Sequence, residues 1–226
     1  MHRYHKAGKL EDCYEHGDDA DSELWIVEGD SAARGLGGVR SPRFQAILPM
    51  QGKPMNATKA DEEDLENNVQ FAALMKAMGT EIGDEFDMAK IRYKRIILLF
   101  DPDADGIHGR TLLLLFFHKW MKPLLDAGRI FDARVPRWKI DSPQMKEPLF
   151  ASTDEQFYAL KEQLEADGVG DIKPTRFRGI GSVGEDTLAH FCTDLKTRQL
   201  SLLTSTDAEV AIRIFEELRN IMKPDA

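Results

Sequence analysis

The stretch Lys94-Arg95-Ile96-Ile97-Leu98-Leu99-Phe100, running into Asp101-Pro102-Asp103-Ala104-Asp105-Gly106, decides the fold. Its unbroken apolar run with basic residues at the head predicts a strand buried on both faces of a parallel sheet. The acidic, glycine-closed segment ends that strand. From about His108 to Ala127 the pattern is that of a long, largely buried helix stopped by Gly128, and Ile130 to Val135 reads as the next strand.

Working outward towards the N-terminus, Leu24-Trp25-Ile26-Val27 is a short run of strand formers, followed by Glu28-Gly29-Asp30-Ser31-Ala32-Ala33, a glycine turn with a helix start. Phe44-Gln45-Ala46-Ile47-Leu48-Pro49 predicts another strand, stopped at the proline and leading to the loop Gln51-Gly52-Lys53. Asp61 to Met78 reads as one helix with Leu65, Val69, Ala72, Ala73 and Met75 to Met78 on its apolar stripe, closed by Gly79. Buried strands alternating with helices define an open α/β sheet with right-handed crossovers.

After Pro136 the pattern is less regular. A helix is predicted near Asp154 to Ala166, with Phe157, Leu160 and Leu164 on one face; then come a basic glycine-rich segment, Arg176 to Gly184, and two more helical patterns ending with Glu209 to Met222. The expected division is a lead-in segment (1–22), an α/β core (23–140) and a mixed, helical C-terminal extension (141–226).

Bulk properties narrow the function. At 226 residues and 42% hydrophobic content the chain can bury one good core. The longest apolar run, Leu112 to Phe117, falls far short of the roughly 20 residues that span a bilayer. No apolar segment follows the basic start Met1-His2-Arg3-Tyr4-His5-Lys6, so a cytoplasmic protein with no membrane partner is expected. Cys13 and Cys192 are the only cysteines and are expected to be reduced thiols. A net charge of −9 argues against a surface that attracts nucleic acid everywhere, but leaves room for a local positive face built from Arg34, Arg40, Arg43 and Lys53, from Arg92, Lys94 and Arg95, and from Arg176 and Arg178.

Four carboxylates stand at strand ends: Glu28, and Asp101, Asp103 and Asp105. Ligands of open α/β sheets collect outside the carboxyl ends of the strands, and alternate residues of an extended segment point one way, so these groups can converge. Like charges held together need a counter-ion, and hard oxygen ligands suit magnesium. Two other readings of Asp-x-Asp-x-Asp-Gly remain, a solvated acidic turn and a calcium loop. The second meets Leu112 where its twelfth-position Glu belongs, and a strand where it needs a helix.

The ordered set Glu28-Gly29-Asp30-Ser31-Ala32, Ile47-Leu48-Pro49-Met50-Gln51-Gly52-Lys53, Asp101-Pro102-Asp103-Ala104-Asp105-Gly106 and Arg110-Thr111-Leu112-Leu113-Leu114 closely resembles the TOPRIM region of the B-subunits of bacterial type IIA topoisomerases, gyrase and topoisomerase IV. The likeness starts at Gly8-Lys9-Leu10-Glu11-Asp12-Cys13 and weakens towards Leu218. It implies a TOPRIM Rossmann-like parallel sheet flanked by helices, with a helical C-terminal tail. It also implies a DNA cleavage and religation site holding Mg2+, which Mn2+ or Ca2+ can replace in binding, on Glu28, Asp101 and Asp103, with Asp105 auxiliary.

In the family a tyrosine of a separate A-type subunit attacks double-stranded DNA, and ATP is used by an ATPase-bearing B-subunit region for which this chain has no room before Glu28. The isolated chain is therefore expected to be inactive. By the same resemblance Lys53 contacts DNA or the reacting centre, and His108, Arg110 and Arg178 are DNA-binding; for His108 a structural role in holding the loop is an equal alternative. Tyr4, Tyr14, Tyr93 and Tyr158 lie in no cleavage motif. Four positions depart from the family pattern: Gln51 replaces an arginine, Pro102 a small residue, and Ser182-Val183 a Glu-Met pair. These departures put DNA contacts and inter-subunit coupling in question, leaving a non-catalytic DNA- or A-subunit-binding module as the alternative and a metal-dependent nuclease as the third.

Overall fold

Strand β1 (Glu23–Glu28) sends Leu24 and Ile26 into one hydrophobic cluster and Trp25 and Val27 into another. Strands β2 (Gln45–Met50) and β3 (Arg95–Leu99) divide their side chains in the same way, so the centre of the sheet is covered on both faces, as its apolar runs require. The computed structural model describes residues 9–17 and 19–221, with side chains up to Glu217. Tyr4, Gly8 and the expected helix end at Met222 lie outside the described residues.

The main sheet has five strands in the order β2-β1-β3-β4-β8, with β4 at Ile130–Ala133 and β8 at Leu200–Leu202. The first four are parallel and β8 closes the β4 edge antiparallel. Helix α1 (Gly29–Gly37) carries the chain from β1 to β2 on one face. Helices α2 (Glu62–Asn67) and α3 (Val69–Met78) lead from β2 to β3, and α4 (Ala104–Trp120) with α5 (Lys122–Asp126) leads from β3 to β4, on the other. Connections therefore leave the carboxyl ends of β1 and β3 in opposite directions. That reversal opens a crevice between two adjacent strands, where ligands of such sheets bind.

Two predicted helices are corrected. The Asp61–Met78 helix is broken at Asn68, whose side chain accepts from the N–H groups of Gln70 and Phe71 and so caps a second helix. The break rotates the apolar face: Val69 is exposed, while Phe71, Leu74 and Met78 are buried. The helix expected from His108 begins at Ala104 because Asp103 caps it, accepting from Gly106 N–H at 2.9 Å. It stops at Trp120, since Pro123 offers no N–H and its ring crowds the carbonyl four residues back.

The irregular region after Pro136 holds a second sheet: β5 (Trp138–Asp141) pairs antiparallel with β6 (Leu149–Ala151) and β7 (Lys173–Arg176). Helix α6 (Asp154–Ala166) lays Phe157, Leu160 and Leu164 on it, and Trp138 stacks on Phe157 at 4.0 Å. A short helix α7 (Glu185–Leu188) with a wide turn (Ala189–Thr193) and the tail helix α8 (Ser205–Ile221) complete the chain. Among the described residues, no helix is long and apolar enough to cross a membrane.

The basic groups do not share one face. Arg43 pairs with Glu15, Arg92 with Asp12, and Lys94 and Arg95 with Asp21, near the starts of β2 and β3. Lys53 follows the carboxyl end of β2, at the opposite rim of the sheet. Both cysteines are free and buried.

Candidate metal centre

At the crevice, Glu28 ends β1 and Asp101 follows β3 after Phe100. The backbone N–H of Asp101 donates to Glu28 Oε2 at 3.1 Å, and Asp101 Oδ1 accepts from Ile180 N–H at 2.7 Å. Asp103 holds its N-cap bond to Gly106. Each of these carboxylates thus rests one oxygen on a main-chain amide, leaving the second outside such bonds.

Burial pushes the Glu28 carboxyl above its ordinary range, with the charges of Asp101, Asp103 and Asp105 adding to the effect against the bond from Asp101 N–H. Asp101 is raised in the same way, by burial first and then by Asp103, against its bond from Ile180. Like charge is concentrated on these carboxylates, and a divalent cation relieves that repulsion. The hard-oxygen donor set fits magnesium.

Two glycines allow this proximity. A Cβ on Gly106 would stand 2.2 Å from the Asp101 carbonyl oxygen and 2.8 Å from Glu28 Oε2, so only glycine lets the first turn of α4 lie against the acids. A Cβ on Gly179 would stand 2.5 Å from Asp101 Oδ2.

Asp105 sits apart from the other three. It lies within the first turn of α4, so the alternation expected of an extended segment does not reach it. Its side chain is 77% exposed, and Lys53 Nζ bonds it at 2.8 Å, holding its carboxyl below the usual range. Lys53 lines a cavity of about 230 Å3 with Glu28, Gly52, Phe100, Asp105 and Gly109. His108 is half-buried with its ring 5.7 Å from that of Phe215 on α8. Arg110 is bound to the buried Asp132 of β4, and Arg178 is exposed on the glycine loop.

The departures at Gln51 and Ser182 have local structural partners. Gln51 Nε2 donates to Asp30 Oδ1 at 2.7 Å, and Lys9 reaches the other oxygen of Asp30. Ser182 Oγ accepts from Arg178 N–H at 3.0 Å and donates to the Gly179 carbonyl at 2.7 Å, folding the loop that delivers Ile180 N–H to Asp101. Sequence reasoning missed Asp30, Asp132 and Ile180. For Asp132 the one available signal was a charged residue inside an apolar strand.

Among the described residues, the one trio whose ligand atoms all lie within 4.8 Å of one another is Asp12, Cys13 and His16. An arginine already supplies the cation there: Arg92 Nη2 is 2.5 Å from Asp12 Oδ2 and 2.9 Å from His16 Nε2. Burial, with Asp12 beside it, pushes the Cys13 thiol up to about 11, so it stays protonated. This cluster ties the lead-in segment to the core.

A parallel sheet with acids at its switch point, a helix start pressed against them and a glycine loop behind defines an α/β domain whose crevice offers a hard-oxygen site for a divalent cation. The Toprim domain family matches residues 23–138, and the chain belongs to that family. It is similar to the DNA gyrase B-subunit of Thermotoga maritima, 38% identical over 211 residues that make up 93% of this chain and 32% of the relative. The DNA gyrase B-subunit of Streptococcus pneumoniae is 38% identical over 214 residues, 93% of this chain and 33% of the relative. That of Archaeoglobus fulgidus is 38% identical over 211 residues, with 93% and 32% covered. The chain therefore spans about a third of the length of these relatives.

Proposed function

We propose that this chain is the acid-bearing half of a DNA cleavage and religation centre in a type IIA topoisomerase of the gyrase or topoisomerase IV kind. The observation that carries this is the Glu28 and Asp101 pair: two carboxylates at the ends of adjacent strands, half-buried, raised in pKa by burial and by the charge of neighbouring carboxylates. Neither forms an ion pair with a cationic side chain among the described residues. Glu28, Asp101 and Asp103 would hold Mg2+, with Asp105 auxiliary. When bound, the ion supplies charge neutralisation for a departing 3′ oxygen and an anchor for a neighbouring phosphate.

The chain's own groups orient and exclude. Main-chain amides of Asp101, Ile180 and Gly106 fix three carboxylates before any ion arrives, which lowers the cost of assembling the site. Asp105 holds Lys53 at the cavity mouth, where the ammonium can exchange its partner for a DNA phosphate. Arg178 offers a second cation on the exposed loop. The nucleophile is assigned to a tyrosine of an A-type subunit: Tyr93 is fully buried with its hydroxyl bonded to Asp12, while Tyr14 and Tyr158 are exposed, on the lead-in segment and on α6. ATP use is assigned to an ATPase-bearing B-subunit region, and the setting to the nucleoid of the cytoplasm.

The test combines the chain with a matching A-type subunit and an ATPase-bearing fragment, and follows magnesium-dependent cleavage of supercoiled DNA. Cleavage that requires both the chain and the A-type subunit is expected. Absence of cleavage with competent partners would select the non-catalytic module, and cleavage by the chain alone would select a nuclease.

A further inference from the structure

Beside the acidic loop lies a second cavity, of about 200 Å3, lined by Asp101, Pro102, Arg110, Asp132, Arg134 and Thr153 among others. Asp132 is 2% exposed, and its Oδ2 takes both the Arg110 guanidinium and Arg134 Nε, the latter at 2.8 Å. One buried carboxylate thus answers two arginines. The imbalance recurs on the next segment: Asp154 Oδ2 faces Arg137 at 3.9 Å and Arg176 at 3.5 Å. Arg137 also donates to the Pro102 carbonyl at 3.3 Å, which joins this rim to the acidic loop itself.

Four guanidinium groups therefore share two carboxylates. In a chain with 30 basic and 39 acidic residues, that local excess runs against the average. At the far rim, by contrast, Arg43 pairs with Glu15 and Arg92 with Asp12. Arg134 is 70% exposed and engages Asp132 only through Nε, so the planar end of its guanidinium is directed outward. Guanidinium groups held in fixed orientation match phosphate oxygens in pairs, and clustered positive charge is what binds a nucleic-acid backbone.

We propose that Arg110, Arg134, Arg137 and Arg176 form a track for DNA backbone phosphates next to the acidic site, with Arg134 the outermost contact and Asp132 the residue that positions it. The track rests on the reading of the acidic site as one that acts on DNA. It requires no metal, because its charge belongs to the chain.

The test measures binding of a labelled short duplex by fluorescence anisotropy in EDTA across a salt series, with magnesium affinity measured separately by calorimetry. Arg134→Gln should weaken duplex binding about three- to tenfold and lower the slope of log affinity against log salt by about one. Magnesium affinity should not change. Arg134→Gln with Arg137→Gln should lose more, and Arg43→Gln, at the far rim, nothing.

Wild-type binding that both arginine variants retain in full would overturn the track while leaving the metal site standing. A wild-type chain that binds neither duplex nor magnesium would overturn the track and the proposed function together. Displacement of the duplex by millimolar inorganic phosphate at constant ionic strength would mark a small-anion site and overturn the backbone assignment.

Discussion

The backbone N–H of Asp101 donates to Glu28 Oε2 at 3.1 Å, so the position of one acid depends on the main chain of the other and not on its carboxylate. Asp101→Asn should therefore keep Glu28 in place, and an amide oxygen can still accept from Ile180. The variant should fold with unchanged or slightly higher thermal stability, because a repelling charge is gone, yet lack the magnesium-dependent stabilisation expected of the wild type. Thermal melts with and without magnesium decide this; a variant that keeps the wild-type magnesium shift would remove Asp101 from the ligand set.

The raised carboxyls of Glu28 and Asp101 set a pH dependence with a definite sign. Because the folded protein holds these protons more tightly than the unfolded chain, the metal-free fold gains stability from them as pH falls through the folded values. Above those values both are ionised and the repulsion from their acidic neighbours is felt. Magnesium needs the ionised forms, so its stabilising shift should be largest near neutrality and should fade at a pH above the ordinary carboxylate range. Melting series at fixed magnesium between pH 5 and pH 8 should show the two curves converging on the acid side.

Gly179→Ala places a methyl group 2.5 Å from Asp101 Oδ2, and either the loop or the acid must move. A loss of about 1–3 kcal/mol in urea unfolding is expected, together with weakened magnesium binding. Gly184→Ala serves as the control on the same loop, since its added methyl meets nothing within 4 Å. Equal behaviour of the two variants would show that the loop does not press on the acid.

At the far end of β1, Glu23 is fully buried and accepts from Arg198, Gln45 Nε2 at 2.9 Å and Trp25 Nε1 at 3.2 Å. Glu23→Ala leaves Arg198 without its buried partner and should cost about 3–5 kcal/mol in urea unfolding. Magnesium binding by the fraction that folds should be unaffected, because the site lies at the other rim.

Burial pushes the thiol of Cys192 up to about 12 and that of Cys13 up to about 11. Neither should react with a disulfide reagent in the native protein at pH 8, and both should react in denaturant. Rapid native modification of either would place it at an accessible surface.

The parallel core was legible because period and composition agree there: runs such as Ile96 to Phe100 admit one reading, and the sheet needs no distant partner to explain them. The second sheet was not, for a physical reason. Strand β7 is Lys173-Pro174-Thr175-Arg176, exposed throughout, and is held as a strand by pairing with β5 and by Arg176 lying 5.5 Å over the Trp138 ring. Its local sequence carries little β signal of its own. The four acids could be located from the sequence and the resemblance set Asp105 apart as auxiliary, but its place inside the first turn of α4 left no local signal, because the Asp103 cap that starts the helix at Ala104 turns on a single side-chain bond. The Ile180 contact to Asp101 crosses 79 positions and leaves no periodic trace.

That same contact dates the site within the life of the chain. A nascent polypeptide that has emerged only as far as β4 possesses Glu28, Asp101 and Asp103, yet still lacks the amide that braces Asp101. Synthesis must proceed through the whole second sheet before Ile180 arrives, and long-range closures of this kind are slow to form. The carboxylates are thus presented early and braced late, and the bond that fixes Asp101 is complete only once the second sheet has been made.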